Sequence, residues 1–214
     1  MSPWRLAVAG TVGAATIAVD LLLVHFRIAG APVDPRWLLA FVSLAAYLLL
    51  ARGDRRSLGL ILVPLQGWGY WGRITVVLGL LTCVLVGGLV VIAWGVYRLL
   101  GADMPVYAMP PHQVAQAFVG MCVTAPLLEE SIYRIALCVP GAVLLRPTGA
   151  IAVSGLAFGL LHLLAGKPGP DNLIAGFFLA WAFLKSGSIA VPLAWHSLGN
   201  LCALAIQVGT WYWL

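Results

Sequence analysis

Pro126-Leu127-Leu128-Glu129-Glu130-Ser131-Ile132-Tyr133-Arg134 sets two adjacent carboxylates and an arginine inside a chain that is otherwise oily. Residues 114–125 before it and 135–145 after it are almost wholly apolar. The charges therefore fall near the middle of a run long enough to span a bilayer. Each such charge at a helix centre is unfavourable by about 2.5–3.5 kcal/mol, and the three together by about 8–10 kcal/mol if nothing compensates. That equals the net stability of a typical domain, about 5–15 kcal/mol. A chain keeps such a cluster when it is paired, lines a wet cavity or does chemistry.

The surroundings fit a membrane protein. Of 214 residues, 62% are hydrophobic and 9% are charged, with a mean hydropathy of +1.01; a soluble domain is nearer about 25% charged. The predicted class is all-α, a polytopic membrane helix bundle of about seven spans. No polar stretch is long enough to form a soluble domain, so residues 1–214 read as one transmembrane domain, with N-terminal spans over 1–57 and a core over 58–214. The net charge of +5 is spread over short loops. It speaks to membrane orientation and anionic headgroups, and the reading includes no nucleic-acid partner. Cys83, Cys122, Cys138 and Cys202 lie in apolar runs with no metal or disulfide spacing, and read as core filler.

In chain order, Met1 to Phe26 reads as a retained first span, since it lacks a clean cleavage site. It carries Asp20 and His25, able to pair with each other or, for Asp20, to face other helices. A loop over 27–36 leads to a short span over about 37–50. Leu58 to Gly72, broken by Pro64, Gly67 and Gly69, suits an interfacial or re-entrant segment. Ile74 to Leu100 is a clear span, followed by a turn-rich loop over 103–111. The helix bearing the opening motif runs from about 112 to 145, with a kink expected at Pro126. Further spans cover 148–165 and 189–208, with a helix to about Leu184 between them that Asp171 or Asn172 can cap. With the N-terminus inside, inner loops hold Arg5, Arg52, Arg55, Arg56, Arg73, Arg146 and Lys185, while outer loops hold Arg27, Arg36, Arg98 and Lys167.

Two further polar pairs stand at membrane depth. Phe158 and His162 share one helical face, four residues apart, and so do His196 and Asn200. Glu130 and Arg134 have the same spacing and can pair along their own helix, leaving Glu129, rotated by about 100°, to face another neighbour. Glu, His, His and Asn from three helices can position and deprotonate a water and stabilise an oxyanion.

E-E-x-x-x-R (Glu129, Glu130, Arg134), F-x-x-x-H (Phe158, His162) and H-x-x-x-N (His196, Asn200), in this order on membrane helices, resemble the CPBP family. This is the CAAX protease and bacteriocin-processing group of intramembrane proteases, called Abi in bacteria. The likeness covers about Leu58 to Leu201. Tyr133 and Ile135 stand where members often have Phe and Gly. The resemblance implies an intramembrane endopeptidase that hydrolyses a peptide bond near the terminus of a membrane-associated or lipidated protein or peptide. It implies Glu129 as general base, His162 as its partner in water activation, and His196 with Asn200 as the oxyanion-stabilising pair. Glu130 and Arg134 then orient the helix.

The favoured expectation is a metal-free, glutamate-activated water. If a divalent metal such as zinc is used, Glu129, His162 and His196 are the set able to hold it with water in the fourth place. The alternatives to a protease are a transporter or ion-binding protein using the same Glu/His cluster, and a non-catalytic immunity or scaffold member of the fold. The expected partners are the lipid bilayer and a membrane-embedded or lipidated substrate. The expected location is a prokaryotic inner (cell) membrane, with multiple passes.

Overall fold

The computed structural model describes residues 2–26, 34–102, 107–167 and 169–213. Arg27, Pro32 and residues 103–106 of the 103–111 loop lie outside the described residues. Within those residues the chain is all-helical, as predicted: α1 is Pro3–His25, α2 is Arg36–Leu50, α3 is Trp68–Leu99, α4 covers 111–144, α5 is Arg146–Leu164, α6 is Pro170–Ser186 and α7 is Ala190–Trp213. By length and composition α1, α3, α5 and α7 can each cross a membrane.

The helix α4, which carries the opening motif, is the spine, and α1, α2, α5, α6 and α7 all pack against it. Two π-type stretches, Val119–Thr124 and Ser131–Cys138, interrupt it. Each ends two residues before a proline, Pro126 and Pro140. Proline returns no N–H to the carbonyls one turn upstream and crowds them, so the helix widens there. The expected kink at Pro126 takes this form. The freed carbonyls are used by other helices. Tyr47 Oη of α2 lies 2.9 Å from Ala136 O and 2.7 Å from Ala9 O. Asn200 Nδ2 of α7 donates to Met121 O at 2.6 Å.

Close approach is set by small residues. A Cβ on Gly13 of α1 would fall 2.1 Å from Ala136 O, and one on Gly176 of α6 would fall 2.9 Å from Gly155 O of α5. Ile135, at the position where the resembled family often has Gly, is 1% exposed and fills the core beside Tyr47 and Phe183.

Residues 58–67, the first part of the segment read as interfacial or re-entrant, form an irregular strap, and α3 begins at Trp68 rather than near Ile74. Gly59 and Gly67 have positive φ, +68° and +75°. The strap is fastened to the turn between α6 and α7: Leu65 N donates to Ser186 O at 2.9 Å, Ile189 N to Gly59 O at 2.7 Å, and Gln66 Nε2 to Lys185 O at 2.8 Å. Trp71 is buried against Tyr70, Trp181 and Trp195, and anchors the start of α3. Beyond that turn no residue of α3 is buried.

Gly187, at φ +62°, ends α6, which starts at Pro170 without a side-chain cap. Asp171 lies in its first turn, and Asn172 donates instead to Lys167 O at 3.2 Å. The starts of α1, α3, α5 and α7 therefore share one end of the bundle with the ends of α2, α4 and α6. The segments carrying Arg5, Arg52, Arg55, Arg56, Arg73, Arg146 and Lys185 meet at that end.

Candidate active site

Arg134 is fully buried, and its guanidinium is shared out completely. Nε donates to Glu130 Oε2 at 2.7 Å, and Nη1 to Ser154 Oγ at 2.5 Å and to Gly176 O at 3.4 Å. Ser154 in turn donates to Tyr133 O at 3.2 Å. The i,i+4 spacing allows the Glu130–Arg134 pair, and the added partners from α5 and α6 make the burial tolerable, because a buried ion pair holds only when its remaining donors are satisfied. Ser154 and Gly176 were not singled out in the sequence. A serine and a glycine in apolar helices give no signal of their own.

Glu130 has a second partner. His196 Nδ1 of α7 lies 2.9 Å from Glu130 Oε1. The other ring nitrogen, Nε2, points towards Glu129, 3.9 Å from its Oε2. So His196 is paired with Glu130 and faces Glu129. Glu129 itself is 7% exposed. Among the described residues its Oε2 is the single buried side-chain polar atom without a hydrogen-bond partner. At 3.9 Å it is too far from His196 for a direct hydrogen bond and near enough for both to hold one water.

Phe158 is the hub of the apolar side. Its ring is 4.6 Å from the His162 ring, 5.7 Å from that of His196 and 5.6 Å from that of Tyr133, with the Arg134 guanidinium 5.4 Å away. His162 Nδ1 is 3.0 Å from Phe158 O, one turn back on its own helix, which leaves Nε2 free. Asn200 spends one amide N–H on Met121 O and keeps a second. Among the described residues no three His, Cys, Asp or Glu side chains group closely enough to hold a metal ion. Glu129, His162 and His196 are thus not gathered as one ligand set in this structure.

Asp20 reaches the same region from α1. It is completely buried, pairs with Arg36 at 2.7 and 3.2 Å, and accepts from Tyr133 Oη at 2.9 Å. Of the two expectations for Asp20, facing other helices is the one realised; His25 instead stacks edge-on against Phe26. Tyr133, at the position where the resembled family often has Phe, uses its extra hydroxyl to join the first helix to the motif.

Residues 111–202 match the family described as type II CAAX prenyl endopeptidase Rce1-like. The matched stretch contains all three motifs and begins well after Leu58, so α1, α2 and α3, with Asp20 and Arg36, lie outside it. No curated protein and no solved structure matches the chain. At family level the match supports a CAAX-type intramembrane endopeptidase, and the long apolar helices agree with an integral membrane protein.

Proposed function

We propose that this chain, Rce1-like over residues 111–202, hydrolyses a peptide bond near the terminus of a membrane-associated or lipidated protein, using a water activated by Glu129. The observation that carries the reading is the orphaned, buried Oε2 of Glu129 beside His196 Nε2. A buried carboxylate oxygen without a donor is unfavourable by about 1–3 kcal/mol or more, and a water held between the two residues removes that cost. The same water is the nucleophile.

Each step balances. Glu129 takes a proton from the water as its oxygen attacks the scissile carbonyl carbon. The tetrahedral oxyanion is met by the second amide N–H of Asn200 and by Nε2–H of His196, both ring nitrogens of His196 then being donors because Nδ1–H goes to Glu130. Glu129 then passes its proton to the leaving nitrogen, the C–N bond breaks, and the products are a carboxylate and an amine. Glu130 holds His196 through Nδ1 and fixes the direction of Nε2. His162, stacked on Phe158 with Nε2 free, is assigned to the water or the carbonyl from the opposite side. Asp20, Arg36 and Tyr133 position the motif helix and touch no reacting atom. The cluster sits among apolar helices, which suits a substrate held at the membrane. No divalent metal is assigned.

The test is cleavage of a lipidated peptide by the purified protein in detergent, read by mass spectrometry in ¹⁸O-water. The expected result is one ¹⁸O in the new carboxylate for wild type and no product for Glu129→Ala. Equal product from Glu129→Ala would overturn the proposal.

A further inference from the structure

At the cationic end of the bundle, where α1 begins and α2 and α4 end, lies a cavity of about 510 Å³. Its walls are apolar, formed by Leu50, Val139 and Val143, and its rim is polar, with Ser2, Arg5 and Arg52. Among the described residues neither arginine has a carboxylate within ion-pair distance. Asp54 also reaches the rim, but its Oδ1 is turned to the loop's own N–H groups, those of Arg56 at 3.1 Å and Ser57 at 3.2 Å. Ser2 makes no side-chain cap on α1, so that helix presents uncapped first-turn N–H groups and its positive end at the rim.

Two details place the cavity at headgroup level. The Arg5 guanidinium lies 5.4 Å over the ring of Trp4, which is 61% exposed; a tryptophan beside a cation is the usual residue pair at a membrane–water boundary. Among the described residues, the two non-glycine residues with left-handed φ are both arginines at this end: Arg52 at +54°, on the rim, and Arg146 at +63°, three positions after Val143. An L-residue takes that conformation only when its surroundings hold it there. Unpaired guanidinium groups are matched by phosphate oxygens, and the apolar walls are matched by the glycerol and first methylenes of a lipid.

We infer that this cavity binds a phosphate group, supplied by the headgroup of an anionic phospholipid in the leaflet on that side. The site lies past the motif, near the end of α4, and is given no part in the hydrolysis.

The test uses the full chain purified from membranes and placed in nanodiscs of phosphatidylcholine with a minor share of phosphatidylglycerol, with lipid retained per chain counted by native mass spectrometry. Wild type is expected to keep one phosphatidylglycerol. The Arg5→Gln/Arg52→Gln double variant should weaken that retention about 30-fold, two cations' worth of surface attraction. Arg55→Gln/Arg56→Gln, which removes two cations off the rim, should leave it unchanged. Val143→Trp fills the cavity with both arginines in place and should also lose the lipid; it decides the matter if the first variant fails to fold. Equal loss in both double variants, or full retention by Arg5→Gln/Arg52→Gln, would overturn the site. Displacement of the lipid by millimolar inorganic phosphate would overturn the lipid assignment in favour of a free phosphate.

Discussion

His196 Nδ1 stands 2.9 Å from Glu130 Oε1, and that same carboxylate holds Arg134 Nε at 2.7 Å through its other oxygen. One glutamate thus joins the last helix to the motif helix and neutralises the buried arginine. Its neighbour Glu129 is left without a donor, and the two adjacent carboxylates have opposite environments. That contrast is the ground on which Glu129, and not Glu130, is proposed as the chemical carboxylate.

Arg134→Ala should destabilise the protein and not merely inactivate it. It leaves Glu130 as a buried charge and strips Ser154 of its donor. Breaking one side of a buried pair typically destabilises by about 3–5 kcal/mol. Thermal melting in detergent measures this, and an unchanged midpoint would remove Glu130–Arg134 from its structural role.

Glu129→Gln should leave the melting midpoint near wild type while turnover falls at least about 10²–10⁴-fold, the contribution of a general base. Gln is nearly isosteric, and the lost oxygen has no protein partner to forfeit. Near wild-type cleavage would move the base to Glu130.

Asn200→Ala should do two separable things. It orphans Met121 O, a stability loss of about 1–3 kcal/mol, and it removes an oxyanion donor, a loss of about 10²–10³-fold in kcat with KM little changed. Adding Pro126→Ala restores a backbone N–H near Met121 and should recover part of the stability but none of the turnover. If turnover returns with stability, Asn200 is structural only.

Tyr133→Phe should be tolerated with a loss of about 1.5–3 kcal/mol, the value of a hydrogen bond to a charged acceptor. Asp20→Ala should be worse, since it strands both the Arg36 guanidinium and the Tyr133 hydroxyl. Chemical or thermal unfolding of the two variants side by side checks the order, and the reverse order would mean that Asp20 is not the acceptor that matters.

Stripping the protein with a strong chelator should leave the cleavage rate unchanged. Loss of activity that zinc restores, together with stoichiometric zinc by elemental analysis, would replace the glutamate-activated water with a metal-held one and recast Glu129, His162 and His196 as ligands.

The membrane class was legible from composition alone, because apolar residues in such excess have no soluble core to fill. The Glu130–Arg134 pair was legible too, because i,i+4 spacing is a local property of a helix. So was the faceted placement of Phe158 with His162 and of His196 with Asn200. The strap over 58–67 was harder to read, since its conformation depends on hydrogen bonds to Ser186, Lys185 and Ile189, more than a hundred residues away.

Which imidazole meets which carboxylate is a matter between helices. The sequence gives each side chain a face and a depth, but rotation and crossing of whole helices are settled by packing, here by Gly13 against Ala136 and Gly176 against Gly155. That packing brings His196 to within 2.9 Å of Glu130 and 3.9 Å of Glu129, and turns one Asn200 N–H towards Met121. It also draws Asp20 from an expected local partner, His25, to Arg36 and Tyr133. A buried charge takes the partner that satisfies the most hydrogen bonds, and that partner lay on other helices. The residues able to do chemistry were therefore fixed by the chain, and their pairing by the fold.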